Sequence, residues 1–111
     1  MMQDWNTYRD SLLERVGDYA KQSPDVMRGL MTIDNAAAKT GHLEPKIHEL
    51  IALAVAVTTR CDGCISVHTK KAVENGGTLE EISEALGVAI ALNAGRADLL
   101  GKSHRSPRTT A

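Results

Sequence analysis

Two cysteines and a histidine occur close together in the segment CDGCISVH, which begins at Cys61 and ends at His68. If a helix begins at the first cysteine, then Cys61, Cys64 and His68 are spaced i, i+3 and i+7 and lie along one face. Two sulfurs three residues apart on a first helical turn can form a disulfide with little backbone movement, and the free N–H groups of that turn favour the thiolate. His68, one turn beyond Cys64, can accept a proton from that sulfur or stabilise its thiolate as an imidazolium. The pattern therefore predicts a redox-active cysteine pair.

Two other interpretations of these residues stay open. The first is structural, with two buried cysteines and a surface histidine, and the helical spacing of His68 makes it the weaker one. The second is a zinc site, to which Cys61, Cys64 and His68 would supply three ligands, whereas structural zinc takes four. No second C-x-x-C pair follows, and only His42 and His48 keep this interpretation open. We therefore predict neither a metal nor a cofactor.

One carboxylate interrupts an otherwise apolar helix face. Glu49 is in register with Leu53 and Ala56. A buried carboxylate is costly unless it is paired or functional, so a buried Glu49 would suit a role in proton transfer. Alternatively, Glu49 lies near a helix start, where it favours the helix dipole and faces water. Periodicity alone leaves both interpretations open.

The first two helices that the sequence predicts form its N-terminal part. An apolar stripe with three- and four-residue steps runs from Trp5 to Tyr19 and indicates an amphipathic helix. A second helix begins with Ser23 as its cap and Pro24 at its first position. Gly41 is expected to end it.

Three further helices are predicted to carry the candidate site. The third runs from Pro45 to about Arg60 and is apolar on most sides, as a central buried helix is. The fourth begins at the cysteine pair and ends at the strong stop Asn75-Gly76-Gly77. A capping box formed by Thr78 and Glu81 opens the fifth, and a short last turn is expected over residues 97–100. With no convincing strand, the sequence predicts an all-α fold, a small helical bundle.

Length, composition and charge limit the possible functions. The 111 residues suffice for one domain, and 42% hydrophobic and 24% charged residues are ordinary for a globular protein. The net charge of −1 argues against a nucleic-acid partner. The uncharged run of residues 50–59 is too short to cross a membrane, so we expect a cytoplasmic protein without membrane contact. Residues 1–100 are expected to form the domain. Residues 101–111 are expected to form a disordered tail of basic character.

The third and fifth helices are nearly all apolar, which is more than a chain of this size can bury alone. We therefore expect one of them to form an interface in a homo-oligomer.

The joint spacing of Glu49, the C-x-x-C pair and His68 resembles the active-site signature of the alkylhydroperoxidase D-like proteins, in the carboxymuconolactone decarboxylase superfamily. The resemblance covers roughly Pro45 to Leu100 and includes the stretch ENGGTLEEISEALGVAIALNAG. It implies an all-helical fold and a homotrimer or homohexamer. It also implies a cysteine pair that cycles between dithiol and disulfide while it reduces a peroxide or a partner's disulfide, with an unidentified thiol as electron donor.

The resemblance assigns a role to each residue of the signature. Cys64 looks like the cysteine that attacks peroxide, Cys61 like the resolving partner and proton donor, and Glu49 and His68 like the proton relay. One departure is Gly63, because the founding enzyme of the family has a histidine just before its second cysteine. Helix-dipole reasoning would instead make Cys61 the more acidic thiol. We follow the spacing of His68 and expect Cys64 to attack.

The expected function is that of a thiol-dependent peroxidase or disulfide reductase in antioxidant defence. One alternative is a decarboxylase of the carboxymuconolactone type, although that branch does not need a C-x-x-C pair. Another is a non-enzymatic, oligomeric redox-sensing module that uses the cysteines as a switch.

Overall fold

The computed structural model describes residues 3–105, including the side chains of residues 3–95. Its five helices, in chain order, are α1 (Trp5–Gln22), α2 (Pro24–Lys39), α3 (Pro45–Thr58), α4 (Asp62–Glu74) and α5 (Leu79–Arg105). No strand occurs between residues 3 and 105. The predicted all-α fold is confirmed.

Most predicted helix starts have the expected chemistry. The capping box is present, because Thr78 Oγ1 accepts from the Glu81 N–H at 3.1 Å and Glu81 Oε1 accepts from the Thr78 N–H at 2.9 Å. Ser23 is the N-cap of α2 and Pro24 lies in its first turn, as predicted, although the Ser23 side chain makes no cap hydrogen bond. The Asp4 carboxylate caps α1, and hydrogen bonds from Thr7 and Asn6 lower the pKa of Asp4.

Helix α5 is longer than the sequence predicted. It has no break at residues 97–100 and continues to Arg105, five residues into the segment expected to be a tail. No proline interrupts that stretch, because Pro107 comes after it. The division of the chain at residue 100 stays a prediction. Residues 106–111 lie outside the described part of the chain.

Helix α3 is the centre of the packing. It lies against both α4 and α5, and we call these three helices the body. The most buried side chains belong to it: Leu53 is 2% exposed, Ala72 0%, and Ala56 and Ala89 are also buried. Small side chains at these crossings let the helices approach closely. The body therefore holds the core.

Helices α1 and α2 form an extension that we call the arm. Helix α1 packs on α4 and on α2, whereas α2 packs mainly on α1. No residue of either helix is buried. The radius of gyration is 17.7 Å, whereas a compact chain of this length would have about 13 Å. The chain is thus extended, and neither helix of the arm contributes to the core.

Large apolar side chains remain exposed on both parts. On α2 and α5 they include Leu30 at 56%, Ile33 at 73%, Ile90 at 65% and Leu92 at 70%. Exposed apolar surface of this extent is typical of protein–protein interfaces. The homo-oligomer stays a prediction. No helix within residues 3–105 has the length and apolar character to cross a membrane.

Candidate active site

The cysteine pair lies at the junction of α3 and α4. Cys61 and Cys64 are joined by a disulfide, with their Cα atoms 5.2 Å apart. Cys61 is the N-cap of α4, and its Sγ accepts a hydrogen bond from the Cys64 N–H at 3.1 Å. The predicted start of this helix at the cysteine pair is confirmed. A sulfur at this position receives a backbone donor and the positive end of the helix dipole, both of which favour a thiolate.

The end of α3 fixes the position of Cys61. The Cys61 N–H donates to the Ala56 carbonyl at 3.0 Å and the Arg60 N–H donates to the Val57 carbonyl at 3.2 Å. Arg60 has φ +58°, so these bonds form a Schellman motif with Arg60 in the left-handed position. The same motif ends α4, where Gly76 takes the left-handed position at φ +88°. The position of Cys61 is therefore fixed twice. Cys61 is the last residue of the Schellman motif that ends α3, and it is also the N-cap of α4.

A second pair of functional side chains joins α3 to α4. Oε2 of Glu49 lies 2.6 Å from Nδ1 of His68, and the two side chains are 18% and 26% exposed. Glu49 is thus partly buried and paired rather than turned freely to water. The carboxylate occupies Nδ1 and fixes the ring, which leaves Nε2 of His68 for exchange of a proton with another group.

The two pairs follow one another along α4. Cys64, His68 and Lys71 recur at helical spacing and share one face. Cys64 is exposed at the start of this face, whereas Cys61 is half-buried. A small oxidant therefore has freer access to Cys64.

An open cleft of about 660 Å³ adjoins Glu49 and His68. Its walls come from the end of α2, the loop that follows, α3 and α4, and they include Asp34, His48 and Lys71. Sequence reasoning missed Asp34 and Lys71. A signal existed for Lys71, which follows His68 by three residues, but none for Asp34, because only the fold brings α2 to this place.

The residues that kept the zinc interpretation open lie in this cleft. His42 and His48 both line it. Within the described residues, however, no three His, Cys, Asp or Glu side chains come close enough to hold a metal ion. His68 is instead paired with Glu49, and the two sulfurs are bonded to each other.

Helix α1 contacts the redox motif at Gly63. A Cβ atom built on Gly63 would lie 2.4 Å from Cδ2 of Leu12, which is closer than such atoms approach. The arm therefore occupies the space that a side chain at position 63 would need. This gives a physical reason for the glycine where the founding enzyme has a histidine, and sequence reasoning did not foresee it.

The fold and this arrangement of residues agree with the comparison of the sequence with known families. Residues 24–99 match the carboxymuconolactone decarboxylase family. The chain belongs to this family, whose match begins at α2 and includes every residue of the candidate site.

Three relatives are similar to much of this chain. An uncharacterised protein of Haemophilus influenzae is 44% identical over 72 residues, which are 65% of this chain and 64% of that protein. An uncharacterised protein of Cupriavidus necator is 30% identical over 95 residues, 86% of this chain and 84% of the relative. "Uncharacterized protein 4 in cox locus" of Paracoccus denitrificans is 33% identical over 82 residues, 74% of each chain. The chain thus matches slightly less than two thirds of the Haemophilus protein. None of these names describes an activity.

Proposed function

We propose that this protein is a thiol-dependent peroxidase or disulfide reductase that cycles between the Cys61–Cys64 disulfide and its dithiol. The observation that carries the proposal is the disulfide at the start of α4, one turn before a histidine that is itself paired with a carboxylate. A structural disulfide would need neither the histidine nor the carboxylate nearby.

In the first step, the Cys64 thiolate attacks one oxygen of the peroxide. An S–O bond forms, the O–O bond breaks, and the leaving alkoxide or hydroxide takes a proton supplied through His68 and Glu49. The products are a sulfenic acid on Cys64 and an alcohol or water. Glu49 orients the imidazole and stabilises its charged form, while Nε2 of His68 exchanges the proton.

In the second step, the Cys61 thiolate attacks the Cys64 sulfur. The disulfide forms, the S–O bond breaks, and the hydroxide that leaves takes a proton to become water. The N–H of Cys64, 3.1 Å from the Cys61 sulfur, suits a thiolate at that position. An external thiol donor then returns two electrons and two protons.

We assign the attack on peroxide to Cys64 because peroxide can reach the Cys64 sulfur more freely. Cys64 is exposed and Cys61 half-buried. The helix-terminal hydrogen bond stabilises a thiolate on Cys61, which suits the resolving step as well as it would suit attack. We therefore keep Cys64 as the residue that meets peroxide.

We also propose that the protein acts as a homo-oligomer, a trimer or a multiple of one. The exposed apolar residues of α2 and α5, together with the extended shape of the chain, support this.

The test is consumption of hydrogen peroxide and an organic hydroperoxide by the whole protein, with a panel of thiol reductants. We expect turnover that requires a reductant and is lost in Cys64→Ser. A cysteine pair that is oxidised once, without turnover with any donor, would instead indicate the redox-sensing alternative. Decarboxylation of a muconolactone that survives Cys64→Ser would indicate the other branch of the family.

A further inference from the structure

A second cleft lies between α1 and α4, and its volume is about 590 Å³. On α4 it is lined by Ser66 and Lys70, among others, and these lie about half a helical turn from Cys64 and His68. No member of the candidate active site lines it. This cleft is therefore separate from the site described above, on the opposite face of the same helix.

Two polar atoms on its walls lack hydrogen-bond partners. Ser66 on α4 is 6% exposed, and its hydroxyl oxygen is buried without a partner. The Nε atom of Arg9 on α1 is also buried without a partner. Within the described part of the chain these are the two buried side-chain polar atoms in this condition, and both belong to one cleft. Buried polar groups are nearly always hydrogen-bonded, so the pair indicates a missing partner.

The charged side chains of the cleft indicate that the missing partner is a hydrogen-bond acceptor. A guanidinium can only donate, and Arg9 already donates one N–H, from Nη2, to Asn6 Oδ1 at 3.0 Å. Lys70 adds a second cation, whose ammonium lies 3.8 Å from the Glu74 carboxylate, with both side chains more than half exposed. The cleft therefore holds more donors than acceptors and one positive charge in excess. A carboxylate matches the planar guanidinium and can also accept from a serine hydroxyl.

The remaining walls are apolar. Trp5 and Val73 line the cleft, and their side chains remain exposed, Trp5 at 42% and Val73 at 58%. Tyr8 packs edge-on against Trp5 with ring centroids 5.5 Å apart, which supports the indole ring. A ligand of this cleft should thus carry an apolar body beside its charge, and the volume is ordinary for a small-molecule site.

We propose that the α1/α4 cleft binds a small organic monocarboxylate. Its carboxylate is held by Arg9 and Ser66, and its aromatic or short aliphatic body packs against Trp5. Both unpartnered atoms are shielded from water, so binding requires the Arg9 and Ser66 side chains to rotate toward the ligand. This inference does not depend on the proposed peroxidase function.

Trp5 is the single tryptophan of the chain and lines the cleft, so its fluorescence reports binding directly. The whole protein is titrated with sodium benzoate and sodium hexanoate, with benzyl alcohol as the neutral comparison. We expect a saturable change with the carboxylates that is absent with the alcohol.

Arg9→Gln should weaken binding at least about tenfold, the scale of a lost charge-assisted hydrogen bond. Arg15→Gln is the matched control, because Arg15 is an exposed arginine of the same helix outside the cleft. Ser66→Ala should weaken binding while raising the melting temperature of the free protein, since it removes a buried hydroxyl without a partner. That rise would show that weak binding does not come from misfolding.

Three results would overturn the proposal. One is the absence of saturation by either carboxylate up to about 10 mM, an affinity too weak for a specific site. Another is an equal affinity of Arg9→Gln and the parent protein. The third is a Trp5 spectrum that changes on dilution but not with carboxylate, which would show that a second copy of the chain fills the cleft.

Discussion

The arm and the body of this protein are held together by different means. The body has side chains that are completely buried, such as Leu53 and Ala72, and its helices α4 and α5 both pack on α3. The arm has no buried residue, although α2 carries apolar residues such as Leu30 and Ile33. The body thus has a core within the single chain, although α5 also exposes apolar side chains such as Ile90 and Leu92. The arm has no core of its own, and its exposed apolar face makes physical sense only in contact with another molecule.

The difference extends to function. The Glu49–His68 pair and the Cys61–Cys64 disulfide lie in the body. Glu49 belongs to α3, whereas His68 and the cysteine pair belong to α4 and its N-cap. The arm reaches the redox motif at one place, through Leu12 at Gly63. The candidate site thus lies on the part of the molecule that holds the core, and the arm contacts its surroundings.

The largest expected effect on stability is a difference between substitutions in the body and in the arm. Leu53→Ala should lower the free energy of unfolding by about 2–5 kcal/mol, because it opens a cavity in the core. Leu30→Ala, the same change on the arm, should cost a dissociated chain under about 1 kcal/mol, because Leu30 is 56% exposed. Urea unfolding at low protein concentration measures both. Equal losses would contradict the distinction between arm and body.

The same variants also test assembly. Leu30→Ala should weaken the oligomer in light scattering at micromolar concentration. A parent protein that is a stable monomer under those conditions would contradict the proposed trimer.

The next effect concerns the polar pair of the body. His68→Gln should slow peroxide turnover by about a hundredfold, the scale of general acid–base catalysis. It should also shift the rate profile toward the pH at which an ordinary thiol ionises, about 8.5. Glu49→Gln should slow turnover in the same direction, while Arg15→Gln in the arm should leave it unchanged, because Arg15 is exposed and lines neither cleft. If Glu49→Gln had the parent's rate, the ion pair would be structural only.

A smaller effect is expected where the arm meets the body. Gly63→Ala should cost about 1 kcal/mol, because its methyl group meets Leu12 Cδ2, which lies at the end of a flexible side chain and can move aside. Leu12→Ala in the same chain should recover part of that loss. A double-mutant cycle measures the coupling, and additive effects would show that the contact is not the cause.

The smallest effect belongs to a surface ion pair of the body. Lys46 Nζ lies 2.9 Å from Glu81 Oε2 and joins the starts of α3 and α5. The hydrogen bond from Lys46 lowers the pKa of Glu81, and the hydrogen bond to Glu81 raises the pKa of Lys46. Because the pKa of Glu81 is lowered in the folded state, the ion pair stabilises the fold fully at pH values above the pKa that Glu81 has in the unfolded chain. This stabilisation is lost as the pH falls through the pKa of Glu81 in the folded state.

Lys46→Gln should therefore lower the melting temperature slightly at pH 7. The difference from the parent should close below about pH 4, near the ordinary pKa of a glutamate. A difference that persists in acid would have to come from packing of the lysine stem rather than from its charge.

Much of the body could be predicted from local sequence. The capping box of α5, the glycines that end α4 and the start of α4 at the cysteines are each decided by a few neighbouring residues. The contact between Glu49 and His68 could not be predicted from neighbouring residues. Periodicity placed Glu49 on an apolar face but left open whether it faced water. Only the packing of α3 on α4 brought the two side chains to 2.6 Å.

The features that sequence reasoning missed depend on contacts between distant segments. Nothing local to Leu12 shows that it lies over Gly63, and nothing local to Asp34 places it in the cleft beside His68. The separate short turn expected over residues 97–100 is wrong, because α5 continues through these residues. The roles of the four site residues remain predictions.

The most direct test of the account is the site of oxidation in two serine variants. Each reduced variant receives one equivalent of hydrogen peroxide, and a sulfenic-acid trap followed by mass spectrometry locates the product. The account predicts rapid formation of a trapped sulfenic acid on Cys64 in Cys61→Ser, and slow oxidation of Cys61 in Cys64→Ser. Faster oxidation of Cys61 would reverse the order of the two cysteines. Oxidation of both variants no faster than that of a free thiol would contradict the peroxidase function itself.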